Sequence, residues 1–579
     1  MRWQCDNLQD VQAENLTATA RLLGCVRYFH PSDGAAGANW HQLAVDMAAA
    51  ARAAQGPAAL CESLSRLLEP IAPTVELFVN GQSPGRASAR RQPDSGLGLV
   101  RWQHRGLGGP GPYWAFFASE RLVEWNDTGE VRITGDDIVT MDLGAGITCV
   151  LPLAVVVGAD GTKPARAVPE PARPDQEFAI ENLDVRLAII SLSWAALRHF
   201  FPYFDEIAGD WDAVLPVALQ KAAAAQAEPD MFCSLRWLTA QLSDGHARAY
   251  HPAHDETQLY VPPFTWDWVE QSLVVQNLIN VRLPDGTART ASPQPGDVIV
   301  AIDGRPTERV LADHCELASA ATPEAVRRRA LETIFAGAKD ERIALTLKTE
   351  KQKQVEIVVA RCLRLWEGPF LSSLEEARPA KIAELERGLS YVDLTRIVEA
   401  EFQAAIPQLQ TARAIVLDIR GYPPPARVPV ELVGHFTDQP ICSAPSLTPV
   451  VTRPDRPPRY MSWLRLTVPA KQPRLKAKLA VLTDARALSY AEGLVALLAG
   501  LEATQIFGSR TAGCMGVPIF YGLPGGYTIS WTGMKTLQSD GSQYHGVGIA
   551  PTQPVTRTIA AIAQGRDEVL EQAIAALRQ

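Results

Sequence analysis

Ser489 lies in Val481-Leu-Thr-Asp-Ala-Arg-Ala-Leu-Ser-Tyr-Ala-Glu-Gly493, directly after an apolar run and at the start of a helical pattern. A serine in such a turn could act as a nucleophile. The first helical amides and the positive end of the helix dipole would favour a developing negative charge, and the Tyr490 amide could serve the oxyanion. The same serine could cap the helix, and the local sequence alone favours the cap. A nucleophilic serine needs a base, and histidine, with an unperturbed pKa of about 6.5, suits proton transfer at neutral pH. His246, in Leu242-Ser-Asp-Gly-His246, is a candidate. His251 and His254 with Asp255 lack a metal-ligand pattern and read as an exposed loop. Gly106-Leu-Gly-Gly-Pro-Gly-Pro112 lacks the Lys-Ser/Thr ending of a phosphate loop. Trp266 and Trp268 fit a peptide groove or a packed core equally well.

The elements that must position these residues form several domains, since 579 residues exceed what one core supports. Residues 1–75 carry helical periodicity. Residues 76–157 change to short alternating runs, such as Val131-Arg-Ile-Thr and Ile147-Thr-Cys-Val-Leu, and predict a small β domain. A Pro- and Gly-rich linker follows at 158–176. The helical segment then recurs at 177–255: Arg27-Tyr-Phe-His-Pro31 and Trp40 match Arg198-His-Phe-Phe-Pro202 and Trp211 at an offset of 171. Only the second copy ends in a histidine; the first has Ile71-Ala-Pro-Thr-Val75 there. Residues 262–362 predict strands around one or two helices, with a turn–strand–turn element at Pro295–Pro306. From 363 to 579 buried strands alternate with helices, the pattern of a layered α/β domain with a mainly parallel sheet. The fold class expected is therefore multidomain α/β with all-α and β parts.

Composition narrows the partners. A net charge of −9, with no Lys/Arg block, argues against nucleic acid and anionic membrane as main partners. No apolar run reaches the length of about 18 residues that a spanning helix needs, so no membrane insertion is expected. The polar N-terminus does not read as a secretory signal. Nine cysteines without a C-x-x-C read as reduced thiols, and a cytoplasmic location follows as the expectation. No metal or organic cofactor is implied.

Downstream of Ser489 come Gly508-Ser-Arg-Thr-Ala-Gly513, Leu523-Pro-Gly-Gly-Tyr-Thr-Ile-Ser-Trp531 and Asp540-Gly-Ser-Gln-Tyr-His-Gly-Val-Gly-Ile-Ala-Pro551. With Asp418-Ile-Arg-Gly-Tyr-Pro423 and the 295–306 element, this order resembles the tail-specific, or C-terminal processing, serine peptidases. It is closer to the branch of the tricorn core and the interphotoreceptor retinoid-binding proteins than to the Ser–Lys branch. The resemblance covers about residues 180–560. It implies a crotonase-like α/β catalytic core at 363–579, a PDZ-like domain at 262–362, Ser489 as nucleophile and His246 as base. Cys514 stands where the other branch has its catalytic lysine. Tyr490 and Gly421 would supply the oxyanion amides, with Tyr422 in reserve, because Pro424 and Pro425 have no N–H to give. His545 occupies the place of a catalytic-group Glu in tricorn-like members, which leaves Gln543, His545 and Glu492 as candidates to orient His246. The implied activity is endopeptidase cleavage of a peptide or protein, in a chain that could form homo-oligomers as such relatives do. Two alternatives stand beside it: a non-catalytic peptide- or ligand-binding protein on the same fold, and a hydrolase of small esters or amides.

Overall fold

The computed structural model describes residues 8–82, 91–92, 97–109, 114–125, 131–164, 178–279, 293–365, 378–423 and 430–579. Four helices open the chain, Asp10–Phe29, the short Asp33–Gly37, Trp40–Ala53 and Pro57–Leu68. Leu183–Phe200, Trp211–Ala224 and Glu228–Ala240 form a second set. The offset of 171 read in the sequence recurs in their boundaries, since Phe29 maps onto Phe200 and Trp40–Ala53 onto Trp211–Ala224. Both sets are apolar on most of their surface, and they share one core in which Leu22, Val26, Trp194 and Leu197 are wholly buried.

Between the two helical sets Glu76–Val79, Ile147–Pro152 and Ile138–Gly144 form a sheet of their own, but the remaining strands do not close on themselves as a separate β domain would require. Gly98–Arg105 pairs with Ala118–Trp125 and Ala154–Gly158, and its far end pairs with Ser446–Val451 through Arg105 and Val450. The sheet therefore runs from the N-terminal region into the C-terminal one. The start of the expected 158–176 linker is a tight hairpin, Val157 opposite Thr162 and Gly158 opposite Gly161; its residues 165–176 lie outside the described residues.

A six-stranded antiparallel sheet follows, in the order Phe264–Val269, Ser272–Leu278, Val298–Ile302, Arg342–Lys348, Gln354–Ala360, with Arg305–Pro306 beside Val298–Ile302. Asp303 and Gly304, both at positive φ, make the turn that the Asp-Gly pair predicts. Trp266 belongs to this core, with its indole N–H on the Leu331 carbonyl at 3.0 Å.

The last sheet orders its strands Ile382–Glu386, Leu389–Asp393, Ala414–Asp418, Lys478–Thr483, Gln505–Gly508 and Gln553–Pro554, parallel from the second onward. Side chains alternate along each strand. Ile415, Leu417 and Val481 face the helices Glu399–Gln410 and Tyr490–Ala499, while Ala414, Val416 and Ala480 face Glu568–Arg578. Because Ala414–Asp418 and Lys478–Thr483 are parallel neighbours, the loops after them leave the same edge, where α/β sheets place their sites. Arg420 anchors that edge: its guanidinium pairs with Asp418 and Asp567 at 2.7 Å each. Among the described residues no helix is long and apolar enough to cross a membrane.

Candidate active site

Ser489 forms the turn between the strand Lys478–Thr483 and the helix Tyr490–Ala499, at φ 55° and ψ −110°. A side-chain-bearing residue there is strained and persists only where its surroundings hold it. Glu492, wholly buried in the first turn of the helix, does the holding. Its Oε2 accepts from the Ser489 and Cys514 amides at 3.1 and 2.9 Å. Its Oε1 accepts from Thr511 Oγ1, the Gly513 amide and the Tyr544 hydroxyl at 2.6, 2.8 and 2.9 Å. Burial pushes the Glu492 pKa up, against the donors that pull it down. The Ser489 amide also meets the Cys514 carbonyl at 3.0 Å. The Ser489 hydroxyl makes no capping hydrogen bond to the helix, and the Glu492 carboxylate holds the amide of Ser489 itself.

His246 arrives from the second helical set. The hairpin Pro518–Gly522 and Thr528–Thr532 adds Arg248–Tyr250 as a third strand, and this brings Thr532 to the imidazole. His246 Nδ1 lies 2.8 Å from Thr532 Oγ1. That hydroxyl donates to Asp244 Oδ1 at 2.6 Å, and the Thr532 amide donates to Asp244 Oδ2 at 2.6 Å. The carboxylate can only accept, so it takes the hydroxyl proton, and Thr532 Oγ1 is left to accept from Nδ1–H. The tautomer is thereby fixed with the lone pair on Nε2. Among the described residues nothing hydrogen-bonds that Nε2.

The charges agree with this arrangement. Burial opposes the Asp244 charge, but the His246 and His545 rings and the Thr532 donors outweigh it and hold the carboxyl below its ordinary value. Burial lowers the His246 pKa to about 4; Asp244 works against this, while Arg329, Arg248 and His545 add to it. The ring is therefore neutral at pH 7 and able to accept a proton. Protonation below its pKa removes the base. The acid limb of kcat/KM is expected near pH 4 to 5 rather than near 6.5, measured on a peptide substrate; a limb at 6.5 would contradict this assignment.

Cys514 joins the two arms. Its carbonyl takes the Ser489 amide, and its thiol lies 3.4 Å from His246 Nδ1 and 3.0 Å from Asp244 Oδ1. Burial first, and then Asp244, keeps the thiol protonated, with its pKa raised well above the ordinary value. Gly245 permits the close approach: a Cβ there would stand 2.7 Å from Leu488 Cδ1 and 2.9 Å from Cys514 Cβ. Asp244, His246 and Cys514 are the one group among the described residues whose ligand atoms could surround a metal ion, all lying within 4.8 Å of one another. Their spacings are those of the hydrogen bonds just given.

The structure corrects several expectations. None of Glu492, Gln543 and His545 hydrogen-bonds the His246 ring. Glu492 is tied up under Ser489, and Gln543 Nε2 donates to the His545 carbonyl at 2.8 Å. His545 Nε2 meets the Ser243 carbonyl at 3.0 Å, and its ring stacks on Tyr203 at 4.1 Å. Asp244 and Thr532, which hold His246 instead, carried only a faint signal: a carboxylate two residues before the histidine, and a threonine at the end of a β hairpin. Tyr490 is the first residue of the helix, at its positive end. The Gly421 amide is committed to the Ile419 carbonyl at 2.9 Å and does not serve as an oxyanion donor in this conformation. Pro424 and Pro425 lie outside the described residues. Asp255 lies in a largely exposed loop as expected, but the His251 and His254 rings are half-buried in it: they flank Glu228 at 3.1 and 2.5 Å and stack on Tyr527 and Phe232.

A strained serine between strand and helix and a histidine whose tautomer is fixed by Thr532 are the parts that a serine-type peptidase uses. Residues 441–555, which contain Ser489, match the family model of peptidase family S41. Among solved structures, mature CPAF complexed with lactacystin is similar at 13% identity and TM-score 0.53, over 68% of this chain and 98% of that one. A mutant of CPAF gives 14% identity and TM-score 0.54, over 68% and 97%. The photosystem II D1 C-terminal processing protease gives 18% identity and TM-score 0.37, over 66% and 97%. The CPAF likeness carries the fold. No curated protein matches by sequence.

Proposed function

We propose that this serine peptidase is an endopeptidase that works through an acyl-enzyme on Ser489, with His246 as general base. The observation that carries the reading is the chain Asp244–Thr532–His246, which leaves Nε2 basic on the side of the ring away from Thr532. His246 takes the Ser489 proton as the oxygen attacks the peptide carbonyl. The protonated imidazole then gives that proton to the leaving amine, and water resolves the acyl-enzyme by the same steps. The helix end at Tyr490 favours the oxyanion electrostatically. In this reading 363–579 is the crotonase-like core, and the sheet at 262–362 is a PDZ-like unit that takes an extended peptide by strand addition. A cavity of about 710 Å³ lies beside Ala247–Tyr250, and neither His246 nor Ser489 lines it. The branch is the tricorn-like one, since Cys514 fills the lysine position. A cytoplasmic location fits the eight described cysteines, all free thiols.

The commitment of the Gly421 amide favours one rival, a non-catalytic peptide-binding protein on this fold. A fluorophosphonate probe decides between them. Catalysis requires a single adduct, mapped by mass spectrometry to Ser489; a folded protein that takes up no probe, or takes it up elsewhere, supports the rival.

A further inference from the structure

One charge difference between the two helical repeats falls beside a shared arginine and tryptophan. In the second, Arg198 closes an ion pair with Asp212, the residue after Trp211. The offset of 171 carries Arg198 onto Arg27, Trp211 onto Trp40, and Asp212 onto His41. The first repeat has kept the arginine and the tryptophan and lost the carboxylate.

Arg27 is left in an aromatic box. Its guanidinium carbon lies 5.4 Å from the Tyr28 ring, 5.9 Å from Trp40 and 5.2 Å from Tyr521. No acidic side chain pairs with it among the described residues, and its Nη1 is buried without a hydrogen-bond partner. His41 does not replace the missing charge. Burial, and after it the Arg27 charge, lowers its pKa, so the ring is neutral at pH 7. Arg27 is half-buried, and Tyr28 and Tyr521, the latter through a side-chain hydrogen bond, favour its charge; ring faces and a phenol attract a cation but do not neutralise it. Arg27, Tyr28, Trp40, His41 and Tyr521 line a cavity of about 490 Å³, further walled by Phe117. That volume falls in the range of small-molecule sites.

We infer that this cavity binds an organic carboxylate carried on an aromatic or apolar body. The ligand's carboxylate takes the place that Asp212 holds in the second repeat and pairs with Arg27, while its body packs among the aromatic rings. The site is separate from Ser489 and does not depend on the peptidase reading. A free small acid and the C-terminal carboxylate of a peptide offer the same chemistry.

The test is calorimetry and thermal shift on the full chain. The probes are N-acetylphenylalanine, N-acetyltryptophan and a tetrapeptide ending in phenylalanine, each as the acid and as the amide. At least one acid is expected to bind saturably and raise the Tm, with its amide at least about tenfold weaker. His41→Asp restores the second repeat's internal pair. It is expected to keep the Tm at or above wild type while weakening the acid at least about tenfold. Arg27→Gln should do the same to binding. Binding of the tetrapeptide acid alone assigns the site to chain termini; binding of the free acids assigns it to small molecules. The inference is overturned by acids and amides that bind alike, by no saturable binding of any acid up to about 10 mM, or by a folded His41→Asp protein that binds as wild type does.

Discussion

Ser489→Gly is expected to be more stable than the wild type, by about 1 kcal/mol, and about a million-fold slower. The two effects have one origin. At φ 55° and ψ −110° Ser489 occupies a conformation that a residue with a Cβ rarely adopts. Such strain is worth about 1–3 kcal/mol, and glycine releases it at a cost of about 0.5–1 kcal/mol in unfolded-chain entropy. Ser489→Ala keeps the strain and should leave the Tm near that of wild type while losing the same activity. A capping serine would behave in the opposite way: alanine would cost about 1 kcal/mol and glycine a few tenths. Glu492, which holds the Ser489 amide at 3.1 Å, keeps the turn in that conformation. Denaturant midpoints of the three proteins, with turnover of a peptide substrate, separate the readings. A Ser489→Gly protein less stable than the wild type would sink the strained-nucleophile account.

How far the sequence carried the site depends on how local each relationship is. The turn at Ser489 is a strand followed at once by a helix, and hydrophobic pattern alone locates both. The parallel core was legible for the same reason, because Ala414–Asp418 and Lys478–Thr483 are continuous apolar runs. The helical repeat was legible because its aromatic and proline positions keep one offset. Less local features were not. Strand Gly98–Arg105 carries no mark that it will meet Ser446–Val451, more than 300 residues away, so the N-terminal strands read as a separate domain. The partner of His246 was missed in the same way. His246 and Thr532 are 286 residues apart and meet because a hairpin adds Arg248–Tyr250 as a third strand. Glu492 was misread for the opposite reason: three residues from Ser489, it looks like part of a catalytic group, but it is spent on the backbone of the turn.

Asp244→Asn is expected to lower kcat/KM by about 10⁴-fold without unfolding the protein. Asp244 reaches His246 through Thr532 and is a positioning residue, so the loss comes from the tautomer. In the wild type Oδ1 faces three donors, the Thr532 hydroxyl, the Cys514 thiol and the His246 amide, and Oδ2 faces the Thr532 amide. An asparagine cannot suit both edges. With its NH2 at the Oδ2 edge, two donors face each other at the Thr532 amide. With its NH2 at the Oδ1 edge, it opposes the His246 amide, and the Thr532 hydroxyl must turn its proton toward His246 Nδ1. Nδ1 then becomes an acceptor, Nε2 carries the hydrogen, and the base that Ser489 needs is gone. Removing the Asp244 charge also withdraws the one influence that raises the His246 pKa, so less of the ring could be protonated in the transition state. Nitrogen-15 shifts of the His246 ring give a reading that a merely structural role would not move: the hydrogen passes from Nδ1 to Nε2 in the variant. Fluorophosphonate labelling should slow in parallel with turnover, while KM changes little. An Asp244→Asn enzyme within tenfold of wild type, or an unchanged tautomer, would show that His246 does not depend on Asp244 and Thr532.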